Sequence, residues 1–90
     1  MAWNVELSTL ARKNLKQLDK SVAQRILVFL RDRVAGLDDP RSIGEVLKGS
    51  KLGEFWKYRV GDYRIISRIE DKKIRILVVR IGNRRDVYRR

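Results

Sequence analysis

The sequence predicts an α+β fold: a two-helix hairpin packed on one face of a mainly antiparallel four-stranded sheet, in the order β-α-α-β-β-β. Three observations carry this. A strand-like alternation opens the chain, two apolar stripes at helical spacing follow, and three closely spaced strand signals end it with tight turns between them. Ninety residues make a single domain spanning 1–90, with room for one core.

Each element has its own residues. Trp3, Val5 and Leu7 alternate with Asn4 and Glu6, the period of a half-buried strand. Ser8 then supplies an N-cap oxygen for a helix in which Leu10, Ala11, Leu15 and Leu18 share a face, ending near Asp19. Ser21 or Asp19 caps a second helix, whose stripe of Val22, Ala23, Ile26, Leu27, Phe29, Leu30 and Val34 runs until Gly36 stops it. Residues 37–53 read as a loop with one helical turn in SIGEVLKG. Strands are expected over Phe55–Val60, Tyr63–Glu70 and Lys73–Ile81, with turns at VGDY and EDKK. The last of these, IRILVVRI within it, is nearly continuous in apolar character, as for a central strand covered on both sides.

Charge is distributed unevenly along this pattern. The net charge is +11, and residues 51–90 hold 13 Lys and Arg against 5 Asp and Glu, whereas residues 1–50 hold 9 against 6. A basic excess of this kind points first to nucleic acid, and less often to an anionic membrane or an acidic protein. The chain has no Cys and no His, which removes disulfides, thiolate catalysis, the common zinc sites and His-based triads. Chemistry is left to Lys, Arg, Tyr, Ser and carboxylates, with no cofactor and no metal implied. Neither a membrane-spanning apolar run nor the start of a secretory signal is present, so a cytoplasmic location without membrane contact is expected.

The stretch WKYRVGDYR concentrates the cations. In the first strand Trp56, Tyr58 and Val60 point one way and Lys57 and Arg59 the other; in the second, Tyr63, Ile65, Ser67 and Ile69 oppose Arg64, Ile66 and Arg68. If helices cover the aromatic side, the basic side is open. Taken singly, each of these cations reads as solvated surface. Trp3, Trp56 and Tyr58 read as core aromatics, and Glu54, Asp62 and Asp86 are the carboxylates nearest the cluster.

The element order, the hairpin ending in GDYR, the strand leading into IGNRRD and the terminal VY together resemble the RelE/ParE superfamily of toxins, most closely its RelE branch. The resemblance spans essentially the whole chain and implies a type II toxin–antitoxin toxin, a metal-independent endoribonuclease that cuts messenger RNA in the ribosomal A site and so inhibits translation. Carried over by position, it assigns catalytic roles to Lys57, Arg59, Arg64, Arg84 and Tyr88. Arg68, Arg75 and Arg85 are expected to contact RNA phosphates. The implied partners are a RelB-like antitoxin, the ribosome with its messenger, and operator DNA reached through the antitoxin complex. Members often carry a further helix beyond the tyrosine; here two residues follow it, leaving room for an antitoxin segment.

Elementary chemistry agrees with these assignments. Attack of a 2′-hydroxyl on the adjacent phosphorus passes through a state with extra negative charge on its oxygens, which planar, permanently charged guanidinium groups suit. Cations crowding Lys57 favour its neutral form, which makes it the candidate general base. Well-known members carry that lysine where this chain has Arg59, and many carry His where it has Asn83. Tyr88 suits base stacking and Arg84 the leaving 5′-oxygen. Two other readings stay open: a ParE-like toxin that inhibits DNA gyrase without cutting RNA, and a plain RNA-binding domain.

Overall fold

A computed structural model describes residues 2–47 and 55–87. Strand β1 (Asn4–Leu7) leads into helices α1 (Thr9–Lys16) and α2 (Lys20–Val28), and the chain then returns through β2 (Glu45–Val46), β3 (Phe55–Val60), β4 (Tyr63–Glu70) and β5 (Arg75–Asn83). The sheet runs β1-β5-β4-β3-β2, antiparallel throughout except that β1 lies parallel to β5. The α+β class and element order stand as expected, with five strands rather than four. The extra one is β2, a two-residue pairing of Glu45 with Lys57 and Val46 with Trp56 inside the segment read as a helical turn. The helical turn itself falls earlier, at Pro40–Ile43.

Local chemistry sets the helix starts. Ser8 Oγ accepts the amide of Ala11 at 3.0 Å and donates to the Val79 carbonyl at 3.0 Å, so one hydroxyl caps α1 and fastens it to β5. The helix closes at Gln17, two residues before the expected end, with Lys13 and Lys16 in its last turn, where cations favour the helix dipole. Asp19 occupies the N-cap position of α2, but without a side-chain hydrogen bond. Past Val28 the same rod widens into a π-helical stretch, Phe29–Val34, whose wide turn is visible in the Ala35 amide donating to the Leu30 carbonyl at 3.0 Å.

Both helices cover one face of the sheet. Ala11, Ile26, Leu30 and Val34 meet Tyr58, Ile65, Ile76, Val78 and Ile81 in a single core. Each fully buried large side chain contributes about 1.5–3 kcal/mol. Tyr58 is fully buried; its ring meets Phe29 edge-on at 6.1 Å and its hydroxyl donates to the Pro40 carbonyl at 2.6 Å. Burial pushes this phenol up to about 12. The bond holds down the segment leading into β2, where Gly44 lets the backbone approach the Tyr58 ring closely: a Cβ there would lie 3.0 Å from it.

The strand β5 departs from expectation at both ends. Lys73 belongs to a short 3-10 turn, and Ile74 has φ +48°, so the strand starts at Arg75 and continues through Asn83 opposite Tyr63. A register shift between Ile66 and Ser67 skips Val79. It is flanked by strands on both edges but covered by helices on one face only, and Leu77 stays half-buried on the other. Among the described residues, no helix is long and apolar enough to cross a membrane.

Candidate active site

Because Tyr58 and Val60 point into the core, the alternation of β3 places Lys57 and Arg59 on the face away from the helices. Gly61, with φ +59°, is the first central residue of a two-residue turn, a conformation that glycine adopts without strain. The turn sets the register in which Arg59 lies directly opposite Arg64 and Lys57 opposite Ile66. Lys57, Arg59 and Arg64 therefore share the open face at the turn end of one hairpin.

The individual groups are held differently. Arg64 Nη1 donates to the carbonyls of Gly61 and Tyr63, each at 3.0 Å, which pins the guanidinium over the turn. Its neighbour on β5 is Gly82, over which buried Val87 packs, with its Cβ 3.4 Å from where a Cβ on the glycine would lie. Arg59 Nε lies 3.2 Å from Glu45 Oε1, an ion pair whose members are both more than half exposed. Such a pair contributes at most about 1 kcal/mol and yields readily to a phosphate. Lys57 is half-buried.

Arg84 is exposed on the loop after β5, and its amide donates to the Asp62 carbonyl at 2.8 Å. That bond fastens the loop to the hairpin turn and brings Arg84 to the same end of the sheet. Arg85 follows, exposed, with its amide bound by Asn83 Oδ1 at 3.0 Å. The position at which relatives carry His thus serves here to shape the turn. Tyr88 lies outside the described residues, as does Glu54.

The remaining predicted contacts divide. Arg68 is exposed on the same face, opposite Phe55 and Leu77, about 13 Å along β4 from Arg64 at roughly 3.3 Å per residue. Arg75 is at the far end, where Glu70 accepts from its Nε and Glu6 Oε1 lies 3.3 Å from its Nη1. The guanidinium holds the Glu70 carboxyl below its usual range. Arg75 is thus a clasp between β1, β4 and β5, and is not brought to the cluster.

Two participants escaped sequence reasoning. Glu45 is a carboxylate close to the cluster, in addition to the three expected; it arrives through β2, which joins residues 12 apart by tertiary pairing alone. Arg80 pairs with Ile66 and donates from Nη1 to the Val87 carbonyl at 3.1 Å, anchoring the turn that leads to position 88. Its signal was its place between Val79 and Ile81 in IRILVVRIG, where an arginine flanked by apolar residues implies a polar partner within reach.

Three comparisons bear on this arrangement. Residues 5–88 match the family model described as the ParE toxin of type II toxin–antitoxin systems, parDE. Toxin RelG of Mycobacterium tuberculosis is 29% identical over 90 residues, covering 100% of each chain. Among solved structures, the RelBE2 toxin–antitoxin complex of Mycobacterium tuberculosis aligns with a TM-score of 0.83 at 24% identity, covering 96% of this chain and 95% of the other. The archaeal RelE–RelB complex of Pyrococcus horikoshii aligns with a TM-score of 0.72 at 28% identity, covering 97% of this chain and 100% of the other.

Proposed function

Given that this chain belongs to the RelE/ParE superfamily of type II toxin–antitoxin toxins, we propose that it is a ribosome-dependent endoribonuclease that cuts messenger RNA in the A site. The observation that supports this most is the grouping of Lys57, Arg59 and Arg64 on the sheet face away from the helices, with Arg59 and Arg64 directly opposite each other in the strand register. Like charges in that relation destabilise a hairpin, and an anion between them reverses the sign.

On this reading Lys57 takes the proton of the 2′-hydroxyl as its oxygen attacks phosphorus. Arg59 and Arg64 bind the non-bridging oxygens, which gain charge as the bond forms. Arg84 offers a hydrogen bond to the 5′-oxygen as the old bond breaks, and that oxygen takes a proton from water, leaving a 2′,3′-cyclic phosphate and a 5′-hydroxyl. Tyr88 stacks on a base and turns the 2′-hydroxyl in line, a contribution of about 1–3 kcal/mol. Arg68 and Arg85 hold flanking phosphates. Orientation dominates such a mechanism, so the ribosome's hold on the messenger supplies much of the rate. The cytoplasm is the compartment in which this activity acts.

The partner that silences the toxin is a RelB-like antitoxin, a reading supported by the toxin–antitoxin complexes among the structural neighbours. The complex in turn reaches operator DNA through the antitoxin. The test is direct: purified chain added to programmed ribosomes cuts messenger at the A site, and Arg64→Ala loses about 10²–10³ of the rate, as expected for one lost transition-state donor. Intact messenger after incubation with folded protein refutes the proposal.

A second reading has its own support, since the matching family model is that of the ParE toxin. On that reading the chain inhibits DNA gyrase and leaves RNA whole. A supercoiling assay separates the two: gyrase inhibited with translation unaffected selects the second.

A further inference from the structure

The basic surface does not end at the sheet face. Strand β2 pairs with the outer edge of β3 at Trp56 and Lys57, with the Leu47 amide donating to the Phe55 carbonyl at 2.9 Å, and from Lys57 toward the hairpin turn a groove runs around the edge toward the helices. A cavity of about 510 Å³ there is walled by Arg25, Arg33 and Arg59 over Val28, Phe29 and Val60. A second, of about 310 Å³, shares Phe29, Arg33 and Arg59 with it and adds Lys57. Arg59 is thus the step by which the groove joins the candidate active site.

Two cations of this groove, both on the helix side, lack side-chain partners: the guanidinium groups of Arg25 and Arg33 make no hydrogen bond or ion pair among the described residues. Of the carboxylates alongside, Asp32 accepts from Arg31 Nε at 3.0 Å and Glu45 holds Arg59. Arg25 lies against the hairpin turn, where a Cβ at Gly61 would be 3.5 Å from its Nη1 and Nη2. Phe29 and Arg33 both come from the π-helical stretch, a rare geometry that is frequent at functional sites. Half-buried Phe29 and exposed Val28 give an apolar floor between charged walls.

We propose that this groove is a second nucleotide subsite for single-stranded RNA, with Arg25 and Arg33 on a phosphate and the base laid against Phe29. The inference rests on the nuclease reading above, since the strand that enters the subsite is the one whose scissile phosphate lies between Arg59 and Arg64. Cationic walls with an aromatic floor are the chemistry by which single strands are bound without sequence preference. An acidic peptide would meet the cations but would leave the floor unused.

The experiment uses the full chain and a short oligoribonucleotide with 2′-O-methyl groups, which binds but cannot be cut by 2′-hydroxyl attack. Affinity is measured by anisotropy over a range of salt for the wild type, for Arg25→Ala/Arg33→Ala, and for Arg25→Lys/Arg33→Lys as a control that keeps charge. The alanine pair is expected to bind about tenfold more weakly, with a salt slope shallower by about 0.7 for one phosphate no longer neutralised on a single strand. The lysine pair keeps the slope, and on programmed ribosomes the loss in kcat/KM falls on KM. Affinity and slope within twofold of wild type in the alanine pair overturn the subsite, as does loss of acidic-peptide binding with RNA binding intact. A wild type that binds in an Arg25- and Arg33-dependent way yet cuts nothing upholds the subsite and refutes the nuclease.

Discussion

Arg59 and Arg64 stand directly opposite each other across the β3–β4 hairpin, two guanidinium groups where a stable sheet would place a complementary pair. Arg64 is pinned to the turn carbonyls and Arg59 is turned toward Glu45 at the sheet edge. On the proposed reading, the arrangement gives up hairpin stability for an anion site. Arg59→Thr should therefore change the unfolding free energy by less than about 0.5 kcal/mol, since relief of the like-charge pair offsets the lost surface ion pair. The same variant should lose at least about 10²-fold in messenger cutting. Urea titration beside a cutting assay reads both.

Tyr58→Phe removes the donor to the Pro40 carbonyl in a fully buried position and should cost about 1–3 kcal/mol. The alkaline limb carries a second signature. The folded phenol titrates at about 12 against an ordinary 10.0, so its neutral form is favoured by folding. That stabilisation is fully present below pH 10 and drains away as pH rises toward 12. Thermal melts should show this steep loss in the wild type and a flatter one in Tyr58→Phe.

Ser67 is fully buried, and its hydroxyl has no hydrogen-bond partner among the described residues. Its desolvation is uncompensated where β5 skips a residue. Ser67→Ala should be neutral or stabilising by up to about 1 kcal/mol, measured as a shift in the urea midpoint with unchanged slope.

Ile74 is the one described non-glycine residue with positive φ, a conformation that crowds a β-branched side chain. Its side chain is 38% exposed, so little burial is at stake. Ile74→Asn should raise stability by about 1 kcal/mol, because asparagine tolerates the left-handed region. A lower Tm in that variant would show that Ile74 is held there by packing.

How much of this was legible in the sequence depends on how local the cause is. The bounds of β3 and β4 follow from alternation and a glycine turn, and they stand as read, along with the shared face of Lys57, Arg59 and Arg64. Strand β2 was not legible, because two residues have no periodicity and its pairing is purely tertiary. The start of β5 was misjudged because Lys73 and Ile74 suit a strand but are taken up by a turn. Nothing in the sequence singles out Arg25 and Arg33; only the fold brings them beside Arg59. Arg75 looked like part of the basic face, yet Glu6 and Glu70 claim it.

The central claim is that the open cationic face receives a phosphate attacked by its own 2′-hydroxyl. It is tested most directly by programming ribosomes with two messengers that differ only in a single 2′-deoxy nucleotide at the A-site cleavage position. The account predicts rapid cutting of the all-ribose messenger, with a 2′,3′-cyclic phosphate end, and no cutting of the deoxy one. Equal cutting of both, or of neither, would contradict it.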